Sequence, residues 1–205
     1  TGHAANTSGS VWRAIETSWI AEFFKIPLAY APGTTYVYTS AASYMLSALI
    51  NKVTGQTLHE YLKPRLFVPL EIHNEGWDIG PDGVNPGGNG LRAPMSAMLK
   101  LGVLHAQGGV WNGEQILPAA WVVAATQPQG GADSRYGYHW MMKPRHAFSA
   151  VGVFVQMAMV FREYGATLAV IGGMKNSAEL IPFIERHFPA AFGSDCTVKP
   201  EADAR

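Results

Sequence analysis

The sequence predicts an α+β fold in which helices come first and an antiparallel sheet follows. Apolar residues recur at helical spacing through most of residues 11–125, and glycine or proline marks several helix ends. After residue 130 the segments become apolar and β-rich, and a tight turn separates the last two. Consecutive strands joined by tight turns favour an α+β layer over a βαβ unit. We therefore expect a helical subdomain at 1–130, part of an α/β subdomain at 131–192, and a disordered tail at 193–205.

The first predicted helix carries apolar residues at a spacing of four, and Pro27 ends it. The residues that form this spacing are Val11, Ile15, Trp19 and Phe23. A turn is expected next, at residues 31–34, because Pro32 fixes φ and Gly33 tolerates a positive φ.

The clearest helix begins just after Tyr38. Thr39 or Ser40 can cap its start, and Gly55 is a typical residue to end it. A continuous apolar stripe runs along it, formed by Ala42, Met45, Leu46, Leu49, Ile50 and Val53. Further helices are expected at about 58–66, at 95–106 and from Pro118 to about 125, with loop-like sequence at 73–94.

The predicted sheet lies in the last third of the chain. Alternation over residues 136–142 indicates a strand, residues 151–161 are almost entirely apolar, and residues 166–171 are β-rich. A turn at 163–165 joins the last two strands, and a final helix is expected within 178–187. The sheet has few strands for its apolar content, so the segment 151–161 should present an unpaired edge or an uncovered face. We therefore predict that the isolated chain is marginally stable and either oligomeric or prone to aggregation.

Composition describes a globular protein and excludes several classes of function. The 205 residues are 48% hydrophobic and 15% charged, with 15 basic and 15 acidic side chains. That balance argues against a nucleic-acid partner and slightly favours a small, neutral or mixed-charge substrate. No apolar run is long enough for a transmembrane helix. The single cysteine, Cys196, and seven scattered histidines without metal-ligand spacing predict neither a metal site nor a cofactor.

Tyr38 stands where a short apolar run meets the well-capped helix. Such a junction exposes a side chain at the rim of a packed unit. A phenol there could titrate if nearby cations stabilised the phenolate. Taken alone, however, a packed aromatic side chain is the simpler interpretation.

The segments around Tyr38 resemble those of the β-lactamase and penicillin-binding-protein superfamily of serine hydrolases. Residues 32–47 are similar to its second motif region, a PGT segment followed by Y-x-N or Y-x-S and a helix. Further similar segments follow in order over nearly the whole chain. They begin with Thr1-Gly2-His3 and continue with the Thr-Gly pair at 54–55, the Pro-Leu pair at 69–70, Gly76-Trp77, the glycine loop at 87–91, the segment 108–121 and the YGY-x-W segment at 136–140.

The resemblance implies acyl transfer, in which the serine of an S-x-x-K motif attacks a carbonyl. By position Tyr38 matches the tyrosine that acts as general base or proton shuttle, and Ser40 matches the third residue of that motif. The third motif aligns with residues 150–152. Gly152 and Val153 are therefore candidates for the oxyanion and substrate site, with a backbone N–H of Val153 as donor. Trp77 is a further substrate-binding candidate. The implied fold is β-lactamase/transpeptidase-like and incomplete, with a helical subdomain, a partial antiparallel sheet and a flanking helix.

Two departures from the family pattern affect the functional prediction. No S-x-x-K occurs in residues 1–205, and in the family it precedes the segment that resembles Thr1-Gly2-His3. We therefore expect a fragment, a chain completed by a separate partner bearing S-x-x-K, or a damaged homologue. The family usually has a polar residue at the position of 150 or 151 and often a glycine at the position of 155. This chain has Ala150, Val151 and Val155 there. This argues against penicillin-like acids as substrates.

The predicted function is a serine hydrolase acting on an ester, amide or β-lactam, inactive as this chain alone. The alternative is a non-catalytic binding homologue, and a structural interaction domain would leave the family motifs unexplained. The resemblance favours a periplasmic or secreted protein, with the cytoplasm as the other location.

Overall fold

A computed structural model describes residue 3 and residues 13–129, 134–175 and 178–192. The chain forms two compact units, Thr1–Pro94 with Gly130–Ser134, and Met95–Gln129 with Arg135–Arg205. Both helices and antiparallel strands are present, which confirms the α+β prediction. The first boundary between the two units falls at residue 94, because the helix that follows it packs on the sheet of the second unit. From the sequence alone, the helical subdomain is expected to extend to residue 130. The tail predicted at 193–205 lies outside the described residues.

The described residues of the first unit form three α-helices and a short strand pair. The helices are α1 (Trp19–Lys25), α2 (Ser40–Thr54) and α3 (Leu58–Leu62), and α3 continues into a π-helical turn at Lys63–Phe67. Strands β1 (Gly76–Trp77) and β2 (Leu91–Arg92) pair antiparallel within the predicted loop. Gly55 ends α2 in the left-handed conformation at φ 71°, as the sequence predicts.

Helix α1 is shorter than the apolar spacing predicted. Ser18 caps it, and its hydroxyl accepts a hydrogen bond from the Ala21 N–H. Ile15 therefore precedes the helix, although it still packs beside the core of Trp19, Tyr44 and Val84. Val11, the first residue of the predicted pattern, lies outside the described residues.

Helix α2 turns its small residues inward and much of its apolar stripe outward. Ala41, Tyr44, Ser47 and Ala48 are buried. The exposed fractions of Leu46, Leu49 and Val53 are 59%, 57% and 75%. Three of the six stripe residues are therefore exposed in the described part of the first unit.

The second unit is a four-stranded antiparallel sheet with helices and a hairpin. Its elements are α4 (Met95–Ala106), β3 (Val110–Trp111), β4 (Glu114–Gln115), α5 (Ala119–Ala125), β5 (Met141–Met142), β6 (Phe148–Gly152), β7 (Gln156–Phe161), β8 (Ala166–Ile171) and α6 (Leu180–His187). The strand order is β5-β6-β7-β8, and β3 pairs with β4. The predicted helices at 95–106 and after Pro118, and the last helix, are confirmed.

The predicted strand at 136–142 is mostly a turn. The Gly137 N–H donates to the Trp140 carbonyl at 2.7 Å, and His139 has a positive φ of 65°. A Cβ at Gly137 would lie 2.1 Å from the Ala125 carbonyl oxygen, so this turn packs tightly against the end of α5. The alternation of side chains over residues 136–142 therefore did not correspond to a continuous strand, and only Met141–Met142 joins the sheet.

The apolar run at 151–161 is a hairpin, not one strand with an open edge or face. It contains the end of β6, a turn at 153–155 and all of β7. Strand β7 pairs with both β6 and β8, and its last five residues are buried. The expected exposure of this segment is therefore wrong. Within the described sheet the long open edge belongs to β8, which pairs with β7 alone.

The side chains of β7 alternate between two apolar clusters. Met157, Met159 and Phe161 pack with Ile184 of α6. Ala158 and Val160 pack on the other face with a cluster that includes Trp140 and Phe148. Helix α4 covers that face closely, because a Cβ at Gly102 would lie 2.6 Å from the Thr167 Cγ2. The buried sheet gives the third-motif segment a fixed support.

Candidate active site

The second-motif segment leads directly into α2. The predicted turn is present, with the Thr34 N–H 3.2 Å from the Ala31 carbonyl and Gly33 at φ 84°. Thr39 is the extended N-cap residue at φ −154°, and Ser40 is the first residue of the helix. Tyr38 therefore lies immediately before the helix, with 47% of its surface exposed. An exposed phenol at this position is accessible to a reacting group.

Tyr36 and Tyr38 interact electrostatically. Burial raises the pKa of the Tyr36 phenol, and negative charge on Tyr38 raises this pKa further. Tyr36 is therefore a neutral hydroxyl throughout the ordinary pH range.

Asp82 anchors α2 to α1 and was missed by the sequence reasoning. Its carboxylate accepts hydrogen bonds from the Ser18 hydroxyl at 2.5 Å, the Tyr44 hydroxyl at 2.9 Å and the Ile20 N–H at 3.2 Å. Burial alone would raise the pKa of Asp82, but these donors outweigh burial and the pKa is lowered. Burial and the bond to Asp82 raise the pKa of Tyr44. The Asp82-Gly83 dipeptide indicated only a turn in the sequence.

A glycine loop packs against the first turns of α2. A Cβ at Gly87 would lie 2.2 Å from the Ser43 carbonyl oxygen, and one at Gly88 would lie 3.2 Å from the Ser43 Cβ. The Trp77 indole N–H donates to the carbonyls of Pro86 and Asn89 at 2.8 and 2.9 Å. Trp77 therefore braces this loop, and its proposed contact with substrate stays a prediction.

The third-motif residues lie at the end of β6 in the second unit. Ala150 packs with the cluster around Trp140, and Val151 packs with the cluster on the opposite face. Gly152 is the last residue of β6 and is paired with Gln156. Val153 follows this last pair, and its side chain is 69% exposed. The backbone there lies outside the strand ladder.

The turn after Val153 has an unusual backbone. Phe154 and Val155 have positive φ angles of 62° and 61°, a conformation that costs a β-branched residue most. The Val155 side chain is nevertheless buried. The left-handed conformation explains why a glycine suits this position, where the sequence has Val155.

The described residues supply no metal centre and no helix for a bilayer. No group of three His, Cys, Asp or Glu side chains in the described ranges is arranged to hold a metal ion. No helix in this part of the chain is long and apolar enough to cross a membrane. A cavity of about 610 Å³ in the first unit is bordered by Trp19, Asp78 and Asn89, and its lining does not include Tyr38 or Ser40.

Comparisons with known proteins agree with the predicted family and fold. A family model for β-lactamases matches residues 4–178. Over 62 residues the chain is 32% identical to an N-acetylmuramyl-L-alanine amidase of Bacillus subtilis. This aligned segment is 30% of this chain and 14% of the amidase.

Solved structures share the same fold. A candidate 6-aminohexanoate-dimer hydrolase from Bacillus anthracis has a TM-score of 0.74 at 17% identity, covering 88% of this chain and 50% of that protein. A β-lactamase from Mycobacterium bovis has a TM-score of 0.66 at 16% identity, covering 84% of this chain and 68% of that protein. This chain thus spans half the length of the first structure. The chain belongs to the β-lactamase family, and it has a β-lactamase/transpeptidase-like α+β fold.

Proposed function

We propose that this chain supplies the proton-transfer and oxyanion elements of a serine hydrolase that works through an acyl-enzyme. The observation that carries the proposal is the position of Tyr38, exposed directly before a helix that Asp82 anchors. A phenol held there can exchange a proton with a nucleophile or leaving group. Ser40 would hydrogen-bond substrate, and the N–H of Val153 would donate to the oxyanion.

The substrate class that fits best is a neutral ester or amide. Ala150 and Val151 are engaged in apolar packing on the two faces of the sheet, so neither offers a polar anchor for a substrate carboxylate. An amide substrate is also consistent with the matched relative named as an amidase. A β-lactam with a free carboxylate would lack that anchor.

The nucleophilic serine of this proposal comes from polypeptide outside residues 1–205, because S-x-x-K does not occur within them. That polypeptide could precede this chain or belong to a separate partner. The exposed stripe of Leu46, Leu49 and Val53 on α2 is an apolar surface on which it could pack. The solved structures with this fold also contain additional polypeptide, since this chain covers 50% and 68% of the two described above.

A second candidate function is a binding homologue that carries out no catalysis. The apolar residues Ala150 and Val151 at the third motif favour it. In that case the chain would bind a small molecule without reacting with it, and Tyr38 would contribute packing without proton transfer. The two candidate functions predict different effects on catalysis when the Tyr38 hydroxyl is removed.

The decisive change is Tyr38→Phe in a protein that also contains the S-x-x-K segment. We expect kcat for a neutral ester to fall by roughly 10²–10⁴, the range for losing a general acid–base group. Stability should change little, since Tyr38 is half-exposed and only its hydroxyl is removed. Steady-state kinetics and thermal unfolding measure the two effects.

Tyr30→Phe is the matched control, because Tyr30 has the same 47% exposure and lies outside the motif. It should leave kcat unchanged. A Tyr38→Phe protein within threefold of the unmodified enzyme would make Tyr38 a packed aromatic and would remove the basis of the proposal.

A further inference from the structure

The second unit contains a partly open cavity whose lining does not include the third-motif residues. It has a volume of about 350 Å³, within the range of small-molecule sites. Its residues come from the β5–β6 turn, the end of β7, the following 3₁₀ turn and α6. None of residues 150–153 is part of it.

The floor of this cavity is apolar and its rim is cationic. Ala147 and Phe161 line the cavity and are only 5% and 4% exposed, so they form an apolar inner wall. Lys143, Arg145 and Arg186 contribute three cationic groups, against one carboxylate, from Glu185. The lining therefore carries a formal excess of two positive charges.

Two of the three cationic side chains at the rim, Lys143 and Arg145, have polar partners within the cavity lining. The Lys143 ammonium lies 2.8 Å from Glu185, so this pair neutralises itself. The Arg145 guanidinium donates to the Tyr164 hydroxyl at 3.1 Å, which holds it at the cavity without cancelling its charge. Arg145 and His146 also have positive φ angles of 56° and 54°. Positive φ angles at two consecutive residues are typical of a tight hairpin turn, and this turn joins β5 to β6.

We propose that this cavity binds a small amphipathic anion, with its carboxylate or phosphate between Arg145 and Arg186 and its apolar part on Phe161 and Ala147. The volume limits the apolar part to about one ring or a short chain. Guanidinium groups bind such oxyanions through paired, charge-assisted hydrogen bonds. The proposal is independent of the acyl-transfer function, because it uses none of the same residues.

The test is isothermal titration calorimetry of the 205-residue chain with phenyl phosphate, with inorganic phosphate and phenol as the separate halves of that probe. We expect phenyl phosphate to bind, and each half to bind at least about tenfold more weakly. Arg145→Gln and Arg186→Gln should each weaken phenyl phosphate by about fivefold or more. Both side chains are exposed, so folding should survive either change.

Arg135→Gln is the matched control, because Arg135 is an exposed arginine of the same unit that does not line the cavity. It should leave the affinity for phenyl phosphate unchanged. Equal weakening in all three variants would show attraction to diffuse positive charge and overturn the proposal. Failure of phenyl phosphate to bind, or inorganic phosphate binding as tightly, would overturn it as well.

Discussion

At the residue scale, Asp82 connects several segments of the first unit through hydrogen bonds. Three donors from α1, its cap and α2 converge on one carboxylate. The sequence could not identify this role, because an Asp-Gly pair predicts a turn and says nothing about what the side chain meets. Tyr38 and Ser40, by contrast, are candidates because of the motif that surrounds them, and their roles stay predictions.

Asp82→Asn should destabilise the chain by about 1.5–3 kcal/mol at neutral pH, the range for hydrogen bonds to a charged group. The folded-state pKa of Asp82 is lowered, because its donors outweigh burial. Its contribution is therefore present above the unfolded-state pKa, about 3.9, and is lost as the pH falls through the lower folded-state value. Urea unfolding of both proteins between pH 7 and pH 3 should show the difference shrinking below about pH 4.

Asp78→Asn is the control for this measurement. Asp78 pairs with Arg92 on an exposed surface, where an ion pair contributes about 0–1 kcal/mol. If Asp78→Asn destabilised the chain as much as Asp82→Asn does, the convergent donors would not be the cause.

At the scale of elements, helices were predicted better than strands. The helix at Met95–Ala106 and the one ending at Gly55 agree with their apolar periodicity and end signals. The hairpin inside residues 151–161 was missed, because its turn uses Phe154 and Val155 at positive φ and has no glycine or proline to mark it. Apolar content alone cannot separate a strand from two strands and a turn.

The apolar stripe on α2 predicts how the isolated chain behaves. Leu46, Leu49 and Val53 are all more than half exposed, and exposed apolar patches promote association. We expect size-exclusion chromatography of residues 1–205 to show oligomers that grow with concentration. Replacing all three residues with Gln should shift the chain toward the monomer.

Val68→Gln is the control, because Val68 is 57% exposed but lies outside the stripe. It should leave the elution profile unchanged. A cooperative, high-melting monomer at every concentration would mean that the chain is a self-sufficient domain. Oligomers that persist unchanged in the triple variant would assign association to another surface, such as the open edge of β8.

At the scale of the whole molecule, the sequence predicts the family and the fold, whereas it does not reveal the contacts that set the boundary between the compact units. The motifs follow one another along the chain, so the sequence alone indicated the superfamily that the family model matches. The boundary at residue 94 depends on α4 packing against β7 and β8, with Gly102 allowing the close approach. A single glycine inside a helix does not reveal which neighbour it contacts.

In the proposed function, this chain carries the proton-transfer side of an acyl-transfer site and needs a nucleophile from outside residues 1–205. A fluorophosphonate probe tests it most directly, because the probe labels an activated serine. We predict no covalent labelling of the 205-residue chain alone. We predict stoichiometric labelling of the S-x-x-K serine when that segment is supplied upstream or as a separate polypeptide. Stoichiometric labelling of Ser40 or Ser43 in the chain alone, or an unlabelled S-x-x-K serine in the completed protein, would contradict the account.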